Sequence, residues 1–188
     1  MKKKIYGYYE SVQLLPQDEQ FACANIWKST WEAQGWDPVI LNRSHAQGSP
    51  LHLKLMTKLT RLAPVLPNEL QNNFAFICAR FSRWCALHAA GGGWMSDYDV
   101  FNLDFSPDKA DEIEKKQSLY VCGEPAYLFY ATRDMCSAAI MKFISAEIFN
   151  LTEKDMVNSV DKDLSQKIVK HCHPNTRKRK SEVMQSLA

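Results

Sequence analysis

The chain has 188 residues, of which 46% are hydrophobic, 23% charged and 11% aromatic. That size and composition suit one packed domain and exclude wholesale disorder. Basic residues outnumber acidic ones by only 23 to 21, and seven of the bases lie in the terminal runs Lys2–Lys4 and Arg177–Lys180. The rest of the chain is mildly acidic, which argues against a nucleic-acid-binding surface spread over the fold.

No stretch reaches the roughly 20 apolar residues of a membrane-spanning helix. The run after Lys4 is too short and too polar for a signal-peptide core. The cysteines at 23, 78, 85, 122, 136 and 172 sit in apolar segments and form no CxxC pair. They are expected to be reduced and mostly buried, in a soluble cytoplasmic protein.

Ile5 to Tyr9 reads as a first strand, Asp18 to Gln34 as a helix stopped by Gly35, and Asp37 to Leu41 as a second strand. Ser49-Pro50 has the form of an N-cap followed by proline at the first helical position. The helix it would start carries Leu55, Leu59 and Leu62 on one face and must end at Pro64. The clearest helical period runs from Gln71 to Ala90 and stops at Gly91-Gly92-Gly93. A short strand-like piece, Trp94-Met95, follows, then Asp97 to Phe101 and an acidic, loop-like stretch from Asp104 to Lys116. Leu119 to Cys122 and Ala126 to Ala131 read as strands, and helical patterns return at Arg133 to Phe149 and from Thr152 onward. The order predicts a single α/β domain over 1–175 with a mixed, mainly parallel sheet flanked by helices, and a basic polar tail over 176–188. Trp27, Trp31, Phe81 and Trp84 fall at core positions.

Asp97-Tyr98-Asp99 is the segment that points to chemistry. Two carboxylates at i and i+2 of a strand project the same way and can share one hard cation. A divalent ion held there can neutralise charge on a leaving diphosphate. The second such pair, Asp161-Lys162-Asp163, lies in a lysine-flanked helical stretch and reads as solvated surface. No GxxxxGK[ST] follows the glycine run, so it is no phosphate loop. The glycines are read as a helix C-cap and as close-approach positions that let backbone near a ligand.

The stretch Arg80 to Val100 resembles the DXD sugar-binding region of small GT-A glycosyltransferases: a helix arginine (Arg83), a leucine four residues later (Leu87), Gly91-Gly92, an aromatic (Trp94), then Asp97 and Asp99. The match is close over about twenty residues and loose over roughly the first 130. It departs in placing Arg80 where many relatives carry a sugar-contacting aspartate, and in one extra glycine before the aromatic. The resemblance implies a Rossmann-like GT-A domain that binds a nucleoside-diphosphate sugar with Mn²⁺ or Mg²⁺. Asp99 would be a metal ligand, Asp97 would meet ribose, sugar or metal, and Arg83 would reach the donor. The strand end from Tyr6 to Tyr9, with Tyr6 and Tyr8, would border the nucleobase. Arg80, Trp94 and Tyr98 complete the implied donor site.

His171 and His173 could supply a further metal ligand or merely end a helix before Pro174. Glu124 is the candidate general base for an inverting reaction, with Asp134 its rival; a turn glutamate is more often simply solvated. The leading expectation is a sugar transferase acting on a hydroxyl of a glycan or glycoprotein, without nucleic acid. The alternative is a small α/β nucleotide- or nucleic-acid-binding module without transferase activity. Indifference to Mn²⁺ and to loss of Asp99 would separate the second from the first. Nucleotidyl transfer ranks low, because no glycine-serine helix start precedes the aspartates.

Overall fold

The aromatic run behind the N-terminal lysines forms β1 (Lys4–Tyr8), the central strand of the parallel part of the sheet. The computed structural model describes residues 2–10, 17–66, 68–122 and 127–145. After β1 come α1 (Gln17–Ala33), β2 (Asp37–Leu41), α2 (Arg43–Gln47), α3 (His52–Leu62), a 3-10 turn at Ala63–Val65, α4 (Asn68–Asn72) and α5 (Phe74–Ala89). Then follow β3 (Gly92–Ser96), α6 (Pro107–Glu114), β4 (Leu119–Cys122), β5 (Leu128–Thr132) and α7 (Arg133–Ser145). The protein is therefore α/β, with helices on both faces of a five-stranded mixed sheet ordered β2-β1-β3-β5-β4 among the described residues.

β1 pairs in parallel with β2 and β3, whereas β5 is antiparallel to both β3 and β4. The sheet is thus evenly mixed rather than mainly parallel. Between β4 and β5 the chain has no room for the crossover that a parallel pair requires. Pro38, which has no N–H to give, sits on the edge strand β2.

Strand parity separates two cores. Ile5 and Trp94 face α1 and α6 in a cluster with Trp27, Trp31, Trp36 and Ala110. Tyr6, Tyr8 and Met95 face the opposite way, against Leu55, Leu59, Phe81, Trp84, Cys85 and Phe143 of α3, α5 and α7. The β1–β2 and β2–β3 crossovers run in opposite directions across the sheet. Because such crossovers are right-handed, their helices fall on opposite faces, and strand order reverses at β1.

Several boundaries differ from the sequence expectation. Asp104 to Lys116 contains α6, capped by Ser106, whose Oγ accepts from the Lys109 N–H, with Pro107 in the first turn. Ser49 makes a cap-like contact ahead of α3 rather than directly at its first residue. Its Oγ takes the Leu51 N–H and lies 3.1 Å from Nδ1 of His88, and the regular helix begins at His52. The Gln71–Ala90 period is broken at Asn73, between α4 and α5. Gly91 (φ +96°) ends α5 as expected of a left-handed cap. Gly92 (φ +89°) is a close-approach position, but toward protein: a Cβ there would lie 2.6 Å from the Arg133 nitrogen.

Cys23, Cys78, Cys85 and Cys136 are free thiols. Burial raises the last two to about 12, so both stay protonated. Cys122, in contrast to the expectation of reduced thiols, is disulfide-bonded. No helix among the described residues is long and apolar enough to cross a membrane. The helix expected from Thr152 and the tail at 176–188 lie outside the described residues.

Candidate functional site at the ends of β1 and β3

β3 ends at Ser96, so the two aspartates occupy a turn beyond the strand rather than the strand itself. Asp97 still donates its N–H to the Tyr127 carbonyl at 2.8 Å. The chain then folds back, and the Val100 N–H reaches the Asp97 carbonyl at 3.0 Å. Asp99 is exposed and Asp97 half-buried.

Tryptophans hold one side of this turn. Nε1 of Trp27 donates to Ser96 Oγ at 2.7 Å, that of Trp31 to the Val100 carbonyl at 3.2 Å, and that of Trp36 to the Phe105 carbonyl at 2.7 Å. Thr30 Oγ1 takes the Asn102 N–H, and the Gln34 amide donates to the Leu103 carbonyl. Asn102 closes the far end of the loop by bonding both the N–H and the carbonyl of Phe105. The segment 96–105 therefore lies along α1 like a second strap. Tryptophans at core spacing are buried as expected, and their indole N–H groups position the aspartate-bearing loop as well.

Arg83 of α5 holds the other side. It is only 5% exposed, pairs with the Asp97 carboxylate, and lies over the Phe129 ring at 5.3 Å. Arg80, one turn earlier on α5, is half-buried. Beside the turn, Tyr98 meets Tyr9 edge to face at 5.6 Å between ring centroids. Burial, and then the Asp99 charge, raise the Tyr98 phenol above its ordinary range.

The end of β1 adds a polar group. Tyr8 Oη donates to Glu10 at 2.7 Å, and Arg43, just past β2, lies 3.6 Å from Glu10. Burial, followed by the Glu10 hydrogen bond, keeps Tyr8 protonated well above the usual tyrosine range. His52 is 8% exposed, and its Nε2 is buried without a hydrogen-bond partner. Burial first, and then the Arg43 charge, lower its pKa and hold it neutral.

Among the residues singled out from sequence, Arg83, Asp97, Tyr98 and Asp99 come together here, with Tyr8 at the neighbouring strand end. Tyr6 is a core residue under α5, its ring packed beside Gly93. Trp94 is fully buried on the opposite face, donating to Glu114 at 2.6 Å, so it does not line the turn. Asp134 is at the other end of the sheet. It follows Thr132, which pairs with Gly92, whereas Ser96 pairs with Leu128. At about 3.3 Å per residue those two rungs are some 13 Å apart. Glu124, His171 and His173 lie outside the described residues.

Glu10, Arg43 and His52 escaped the sequence reading. The signal that could have found Glu10 and Arg43 is their place just past two parallel strands, where open α/β sheets bind ligands. Among the described residues no group of three or more His, Cys, Asp or Glu side chains is arranged to hold a metal ion. Carboxylates two residues apart suit a hard cation such as Mn²⁺ or Mg²⁺ completed by ligand oxygens. Here the fit is unequal, because Asp97 is already engaged by Arg83. Asp99 is the exposed member of the pair.

The family model described as "Domain of unknown function (DUF8765)" matches residues 1–171, and the chain belongs to that family. No curated protein and no solved structure matches it.

Proposed function

We propose that this DUF8765 member is a metal-dependent glycosyltransferase of GT-A type, moving a sugar from a nucleoside diphosphate to a hydroxyl of a glycan or glycoprotein. The observation that carries the reading is the Asp97–Tyr98–Asp99 turn beside a buried arginine, at the C-terminal ends of β1 and β3. Strand order reverses there, and open α/β sheets take ligands at such points.

Asp99 would hold Mn²⁺ or Mg²⁺, which when bound supplies positive charge to a leaving diphosphate. Asp97, fixed by Arg83, and Ser96 and Val100, fixed by indoles, keep the turn in one geometry before any ligand arrives. The Tyr9–Tyr98 pair offers ring edges and faces to a base or sugar. Tyr8, with its proton held toward Glu10, is a neutral hydroxyl at the same rim. Arg80 is the next cation along α5 for a phosphate. Glu124 would take the acceptor hydroxyl's proton if the reaction inverts; it belongs to the connection whose described ends are Cys122 and Tyr127.

The test is a thermal-shift screen of nucleoside diphosphates and their sugars, with and without Mn²⁺, on wild type and Asp99→Ala. A ligand at a hundred times its Kd should stabilise the fold by about 2.7 kcal/mol. Stabilisation that needs both Mn²⁺ and Asp99 supports the donor site and names the base. A shift indifferent to both would favour the binding module without transferase activity.

A further inference from the structure

Arg83 carries a charge that it cannot shed by deprotonation, and it carries it almost out of contact with water. Such a group needs an anion at its side, and the Asp97 carboxylate, two-thirds shielded itself, is in contact with it. Phe129 packs against the guanidinium, so the arginine is not a surface side chain that can swing clear.

We infer that Arg83 is a resident counter-cation that closes the Asp97–Tyr98–Asp99 turn to a free divalent ion, so that the metal enters only together with a nucleoside diphosphate. This rests on the glycosyltransferase reading and adds to it the condition under which its cation binds. A lone Mn²⁺ at the exposed Asp99 finds the second carboxylate of the turn, Asp97, already neutralised by contact with a guanidinium. It also meets the guanidinium's own positive charge across the width of one carboxylate, where like charges repel. A diphosphate reverses the balance, because its oxygens bring negative charge enough for both cations. Metal and nucleotide then assist each other, and by linkage each must raise the other's affinity by the same factor. Arg83 acts here through Asp97, as a positioning residue.

Calorimetric titrations of the full chain decide this, using MnCl₂ alone, the uridine, guanosine, adenosine and cytidine diphosphates alone, and each pair together. In the wild type, Mn²⁺ alone should bind weakly, and the matching diphosphate should tighten it at least about tenfold, with the reciprocal gain for the nucleotide. Arg83→Gln should bind Mn²⁺ alone about tenfold more tightly than wild type, with a smaller gain from nucleotide. Arg83→Lys, which keeps the charge, should stay close to wild type. If Arg83→Gln does not fold, the wild-type titrations still decide. Mn²⁺ bound as tightly alone as with nucleotide overturns the inference while leaving the donor site standing, and so does an unchanged Mn²⁺ affinity in folded Arg83→Gln. Failure of every diphosphate to bind, with and without Mn²⁺, overturns the donor-site reading and this inference with it.

Discussion

On one face of the sheet α1 and α6 enclose a cluster of indoles over β1 and β3; on the other, α3, α5 and α7 cover them with aliphatic, small, ionisable and a few aromatic side chains. Trp27, Trp31, Trp36 and Trp94 of the first face each direct the indole N–H to a defined acceptor. The helical face buries Arg83, Ser82, Ser49, His52 and His88 instead, and its stacked rings, Trp84 on Phe129 and Phe81 on Phe143, serve as packing. The aspartate turn is held between the two. Its path comes from the aromatic side and its electrostatics from the helical side. A ring with a single donor fixes position without bringing charge, whereas a buried guanidinium fixes charge at the cost of needing a partner.

The largest test of that division is Trp36→Ala. Trp36 is fully buried against Trp31, Trp94 and Phe105, and its truncation should cost about 4 kcal/mol in urea unfolding. Arg83→Met should come next, at about 3 kcal/mol, because it removes the buried cation in contact with the half-buried Asp97 carboxylate. Trp27→Phe keeps most of the ring and loses the bond to Ser96. It should cost about 1 kcal/mol and speed amide hydrogen exchange in 97–105 while leaving α7 unchanged. Equal acceleration in α7 would mean that the indoles are packing and not tethers.

The smallest expected effect is on acid stability, and it belongs to the helical face. Burial, and then the Arg133 charge, lower His88; burial, and then Arg43, lower His52. Each folded pKa lies below the unfolded value of 6.5, so as pH falls through 6.5 the unfolded chain takes up protons first. Stability should therefore drop below pH 6.5 and level off once the folded groups titrate. Replacing both histidines with glutamine should flatten that slope in urea midpoints measured from pH 7.5 to 5. A slope that survives would place the titrating groups elsewhere.

Elements fixed by local periodicity were legible: β2 and β4 fall at their expected bounds, and α1 and β1 shift by a residue. Features decided by distant partners were not. Ser49-Pro50 and Ser106-Pro107 carry the same helix-start signal, yet α6 begins directly behind Ser106 whereas α3 begins two residues after Pro50, with the Ser49 hydroxyl beside His88, 39 positions away. Trp94 reads equally well as a stacking platform or as core. Its pairing with Ile5 puts it inside, and pairing partners are not written in a single strand. Asp134, a rival for the base by sequence, lies at the far end of the sheet because β5 runs antiparallel to β3, which the sequence of one strand does not record. Arg83 and Asp97 were both singled out, but as two donor contacts; that they contact each other depends on how α5 lies against β3. The tethers to Val100 and Phe105 end on backbone carbonyls, which carry no sequence signature.

The indole cluster also has a spectroscopic consequence. Successive ring centroids from Trp27 to Trp31, Trp36 and Trp94 are 6.3, 5.5 and 6.2 Å apart, so their transition dipoles are electronically coupled, while Trp84 belongs to the other face. Three of these chromophores are hydrogen-bonded to the segment that runs from Ser96 to Phe105. Near-ultraviolet dichroism and intrinsic emission of the unlabelled chain are therefore a built-in optical gauge of that segment, and any occupant that shifts the loop will change the signal.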